Sequence, residues 1–67
     1  MKLSTRNQLP GTVKSVTTGT IMAEVVVDVG GQEVVAAITR RSVEELALTE
    51  GDAIAVLIKA TEVMIGK

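Results

Sequence analysis

No histidine, cysteine or aromatic side chain occurs in this 67-residue sequence, and that absence limits the possible folds more than any motif does. A chain this short buries only about 60% of the surface its unfolded form exposes. Small domains ordinarily compensate with disulfides, a structural metal or oligomerisation. Without Cys or His, disulfides and the usual zinc constellations are closed. Without Phe, Trp or Tyr, the core lacks the side chains that bury the most area each. The apolar share is still 46%, nearly all Val, Ala, Ile, Leu and Met. One domain spanning residues 1–67, stabilised by association with copies of itself, is the expected solution.

The same gaps exclude functions. The commonest general base and the best nucleophile are both missing. The carboxylates read as structure or solvation: Glu44 and Glu45 at a helix start, Asp52 in a turn, Asp28 beside a hairpin. An enzyme is therefore not expected. Seven Lys/Arg against eight Asp/Glu are not the footprint of a nucleic-acid binder, and no aromatic offers a stacking platform for single strands. No apolar run reaches the roughly 20 residues that span a bilayer. The first residues lack the apolar stretch of a secretion signal, which leaves the cytoplasm as the expected location.

Along the chain, Leu9–Val16 reads as a first strand, with Pro10 placed at its start or on an edge. A turn at 17–20 follows. Ile21–Val29 is the clearest strand: Ala23, Val25, Val27 and Val29 share one face, and Met22, Glu24, Val26 and Asp28 the other. Gly30-Gly31 signals a two-residue hairpin, and Gln32–Thr39 returns antiparallel. Ser42-Val43-Glu44-Glu45 has the form of a capping box, heading a short helix over 43–48. Thr49–Asp52 turns the chain into a fourth strand, Ala53–Ile58, and Glu62–Ile65 reads as a short fifth. This order predicts an all-β fold, a five-stranded antiparallel OB-type barrel with one short helix between strands 3 and 4; a five-stranded sandwich is the alternative. In Val25-Val26-Val27 and Val34–Ile38 apolar residues occupy both strand faces, where a solitary barrel would alternate. An apolar outer face suggests a subunit interface.

Three polar stretches could carry chemistry. Ser4-Thr5-Arg6-Asn7 packs hydroxyls, a forked guanidinium, a carboxamide and backbone N–H groups together, an inventory suited to a tetrahedral oxyanion. Lys59 closes the fourth strand as Ala60-Thr61 opens a turn. Ser42 stands at a helix start, where unpaired N–H groups favour an anion. Arg40-Arg41 forms a further basic pair with no assigned role. Spacing alone does not show that these stretches meet.

Ser4-Thr5-Arg6-Asn7-Gln8-Leu9 resembles the opening segment of the molbindins, also called molybdenum-pterin-binding proteins. Val43–Leu48 with Glu50-Gly51, and Lys59-Ala60-Thr61-Glu62-Val63-Met64-Ile65, are similar to that family's middle and closing segments, in order and spacing. Thr5 stands where the family usually has Ala, and the Gly30-Gly31 hairpin is one residue shorter than in many members. The resemblance implies an OB-type barrel assembled as a homohexamer, a trimer of dimers, that binds and stores molybdate or tungstate between subunits. Carried onto this chain, it implies that Ser4, Arg6, Asn7, Lys59 and Ala60 form one side of an oxyanion site. Thr39 and Ser42 would come from a neighbouring subunit. A pterin is disfavoured, because no aromatic is available to stack on one. An assembly or protein-interaction barrel without a small ligand is the competing reading.

Overall fold

The longest element of the computed structural model, which describes all residues from Met1 to Lys67, is a 12-residue strand β1 (Asn7–Thr18). It changes partners midway. Residues 7–12 pair antiparallel with β4 (Ala53–Ile58), and residues 12–18 with β2 (Met22–Val29). This explains how a proline sits in a strand with neighbours on both sides. At Pro10, opposite Ala55, pairing with β2 has not begun, so the missing N–H leaves no gap in a ladder. The register slips between Val13 and Ser15, a bulge that bends the strand where it crosses from one partner to the other. Gly11 lies at the same corner. A Cβ there would come within 2.6 Å of Val27 Cγ1 and 2.8 Å of the Asp28 carbonyl oxygen, so only glycine lets the strands approach this closely.

The hairpin expected at Gly30-Gly31 is present. Val29 faces Gln32, and both glycines have positive φ (58° and 89°), as primed two-residue turns demand. Asp28 Oδ1 accepts the N–H of Gly31 at 2.9 Å. The return strand β3 (Gln32–Thr39) pairs with β2 along its whole length.

Helix α1 (Arg40–Leu46) starts three residues before the sequence-based expectation of 43–48, and its cap is Thr39, not Ser42. Thr39 Oγ1 accepts the N–H of Ser42 at 3.0 Å while donating its own proton to Ser42 Oγ at 2.8 Å. The expected Ser42–Glu45 box does not form. Glu44 and Glu45 turn instead to Arg40 and Arg41 in i,i+4 ion pairs at 3.0 and 3.3 Å. The helix ends at Ala47 in the left-handed conformation (φ 51°), with Leu48 N–H closing onto the Val43 carbonyl.

Four strands form one sheet in the order β3-β2-β1-β4, not the expected five-stranded barrel. Glu62–Ile65 is not a strand. Ala60–Glu62 makes a single 3-10 turn, and residues 63–67 leave it without regular structure. A strand exists only through its ladder partner, and no part of this chain pairs with that segment. The first strand, conversely, exceeds the expected Leu9–Val16 at both ends: Asn7 and Gln8 pair with Ile58 and Leu57, and Thr17 and Thr18 with Glu24 and Ala23.

The core is small. Only Val13, Ala23, Val25, Val27 and Val43 are buried. The inward face of β2 is the face assigned from alternation, and Val43 of α1 closes one end of the sheet against it. The opposite faces carry exposed apolar side chains: Met22, Val35 (61% exposed) and Leu57.

Candidate functional site

The segment before β1 is tied down by its own side chains. Thr5 Oγ1 donates to the Ile58 carbonyl at 2.9 Å, and Asn7 Nδ2 donates to the same oxygen at 3.1 Å. Asn7 N–H reaches back to Thr5 Oγ1 at 3.3 Å, and Gln8 Nε2 donates to the Thr5 carbonyl at 2.7 Å. The last residue of β4 is thereby clamped to residues 5–7, which brings Lys59 and the following 3-10 turn beside Ser4 and Arg6.

Between these two stretches lies a solvent-open cavity of about 510 Å³, lined by Ser4, Thr5, Arg6, Asn7, Lys59, Ala60 and Thr61. Five of the seven residues assigned to the oxyanion site are therefore brought together: Ser4, Arg6, Asn7, Lys59 and Ala60. Thr5 and Thr61 line the cavity as well, outside the residues that the resemblance assigns. The signal for both was a hydroxyl adjacent to an assigned residue.

The lining contains two cations and no carboxylate. Lys14, Arg40 and Arg41 each hold an acidic partner, whereas Arg6 and Lys59 have none. Neither makes a side-chain hydrogen bond either. No other chain group occupies the backbone N–H groups of Ala60 and Thr61. Asn7 spends one of its two amide protons on Ile58 and keeps the other. Unspent donors converging on one concavity with net positive charge favour a small polyvalent anion. No group of three His, Cys, Asp or Glu is placed to hold a metal ion.

Thr39 and Ser42 are not part of this cavity. They sit together at the junction of β3 and α1, hydrogen-bonded to each other. Thr39 pairs with Met22, next to Ala23, which faces Thr18; Asn7 is at the other end of the same long strand. The whole length of β1, bent at its bulge, runs between those two ends, in a molecule 34 Å along its longest axis. The two halves of the assigned site thus lie at opposite ends of one chain.

The model of the TOBE domain family matches residues 3–65. Molybdenum-pterin-binding protein 1 of Clostridium pasteurianum is 46% identical over 66 residues, covering 97% of each chain. The structure of a molybdate-binding protein from Sporomusa ovata superposes with a TM-score of 0.95 at 51% identity, over 100% of both chains. ModG, described as a cytoplasmic molybdate-binding protein and solved with molybdate bound, matches 90% of this chain at a TM-score of 0.84 and 43% identity. This chain spans 43% of its length. The Sporomusa ovata structure matches the whole of the mostly-β fold, its short helix included. With a family model spanning nearly every residue and a relative aligned end to end, the chain belongs to the TOBE domain family, among the small molybdenum-pterin-binding proteins.

Proposed function

We propose that this protein binds molybdate or tungstate, as intact tetrahedral oxyanions, between the subunits of a homo-oligomer and so stores them in the cytoplasm. Residues 1–67 act as one domain, without catalysis. The observation that carries the reading is the cavity where Arg6 and Lys59, unpaired, converge with hydroxyl and backbone donors and no acid. Arg6 and Lys59 supply charge. Ser4 and Asn7 supply side-chain donors, and Ala60 its backbone N–H. A solvent-open cavity leaves part of a bound anion in water, where donors are worth least. Thr39 and Ser42 of a neighbouring copy complete the enclosure, in a hexamer built as a trimer of dimers.

Two further features support association. A core of five buried residues is thin for 67, and the outer faces of β2, β3 and β4 expose Met22, Val35 and Leu57. A pterin has no role in this reading, since the cavity offers no aromatic wall. Native mass spectrometry with and without molybdate tests the proposal. Mass added in integer multiples of one oxyanion per oligomer is the expected result. An oligomer that gains no mass at saturating molybdate would refute storage.

A further inference from the structure

Thr5 lines the cavity, yet its hydroxyl has no proton left to offer an anion. A hydroxyl carries one proton, and Thr5 Oγ1 gives it to the Ile58 carbonyl at 2.9 Å. The same Oγ1 accepts the N–H of Asn7 at 3.3 Å, a turn closed by a threonine side chain onto the backbone two residues on. Asn7 Nδ2 then returns to the Ile58 carbonyl at 3.1 Å, so two side chains fill the two lone pairs of that oxygen. Arg6 is the residue enclosed by this loop. Its carbonyl accepts the Gln8 N–H at 3.0 Å, while its guanidinium is left without an acidic partner. The far end of the tie is Ile58, covalently joined to Lys59. One carbonyl oxygen thus couples the backbone of Arg6 to that of Lys59. The Thr5 hydroxyl also makes the only hydrogen bond between β4 and the residues ahead of Arg6.

We propose that Thr5 is a positioning residue of the anion site. Through the Ile58 carbonyl and the Asn7 N–H, its hydroxyl fixes Arg6 against Lys59 before an anion arrives. The inference rests on the anion-binding reading above and adds to it a residue that never touches the ligand. The physical reason is entropic. Arginine and lysine both lose rotamer freedom when they close on an anion. Any backbone freedom between their two stems would have to be given up at the same moment and would weaken binding. Asn7 does not replace the tie, because it reaches Ile58 from the other side of Arg6 and leaves the chain before Arg6 free.

Molybdate binding to the intact oligomer tests this, measured by equilibrium dialysis on Thr5→Val, on Thr5→Ser, and on Thr5→Val combined with Arg6→Ala. Valine keeps the branched shape and removes the hydroxyl. Thr5→Val should bind about three- to tenfold more weakly, the range that one neutral hydrogen bond is worth. Thr5→Ser should restore affinity to within about twofold of the parent. In the Arg6→Ala background, adding Thr5→Val should change affinity by less than about twofold, since no guanidinium remains to be placed. A hydroxyl that served only the fold would weaken binding equally in both backgrounds, and that result would overturn the proposal. So would a Thr5→Ser variant as weak as Thr5→Val, which would make the methyl group and not the hydroxyl the active part. A Thr5→Val chain that no longer assembles in sedimentation counts against it too, because the hydroxyl would then be structural. If Arg6→Ala and Lys59→Ala lose affinity while Thr5→Val keeps it, the positioning role falls and the anion site stands. If the unmodified protein binds no molybdate, both fall.

Discussion

Replacing Arg6 by Ala should remove most of the oxyanion affinity and leave the fold almost untouched. Arg6 makes no ion pair and no side-chain hydrogen bond within the chain, and it is exposed before β1 starts. Substitutions at such positions usually stay within about 0.5 kcal/mol of the parent stability. Against a bound oxyanion the same guanidinium would make at least one charge-assisted hydrogen bond. Such bonds contribute roughly 1.5–3 kcal/mol, which corresponds to about tenfold to more than a hundredfold in the dissociation constant. The lower end applies if the cavity stays open to water, as in the single chain, and the upper end if a second subunit covers it. Lys59→Ala should behave alike, since Lys59 is also unpaired and closes β4 without entering the core. Arg40→Ala is the control. Its side chain is half exposed, is already held by Glu44 at 3.0 Å and lies outside the cavity. Isothermal titration with molybdate, on variants whose oligomeric state has first been checked by sedimentation, reads the effect. Unchanged affinity in both Arg6→Ala and Lys59→Ala, with assembly intact, would refute the assignment of this cavity as the anion site.

Molybdate and tungstate should raise the thermal midpoint as their concentration rises, because at a hundredfold excess over the dissociation constant binding adds about 2.7 kcal/mol per site to the unfolding free energy. Sulfate is expected to do less, and equal stabilisation by sulfate would argue against selection for the larger oxyanions. Gly11→Ala should destabilise by roughly 1–3 kcal/mol, because the new methyl meets Val27 and the Asp28 carbonyl at the strand corner; an unchanged urea midpoint would contradict the close approach. Thr39→Ala should cost about 0.5–2 kcal/mol through loss of the helix cap, with Thr39→Ser largely restoring it. Denaturant unfolding of the pair separates this cap from any effect Thr39 has on anion affinity.

Much of this protein was legible in residues close together in sequence. Gly30-Gly31 dictated its hairpin because few other dipeptides take two consecutive positive φ values. The alternation in Ala23–Val29 identified the buried face of β2, since a strand has only two sides. The donors of Ser4–Asn7 and the cation at Lys59 were visible as chemistry, and the absence of Cys, His and aromatics removed whole classes of function. Local sequence does not fix the start of α1, because Thr39 and Ser42 both offer a capping hydroxyl. The choice between them depended on where β3 ends, and pairing with β2 sets that point at Thr39 opposite Met22. That Arg6 and Lys59 share a cavity was decided by Thr5 and Asn7 clamping the Ile58 carbonyl, a contact between residues more than fifty apart. The short apolar run Val63–Ile65 after Glu62 reads as a strand, yet pairing is a property of two segments, and a strand that finds no ladder within its own chain does not form there.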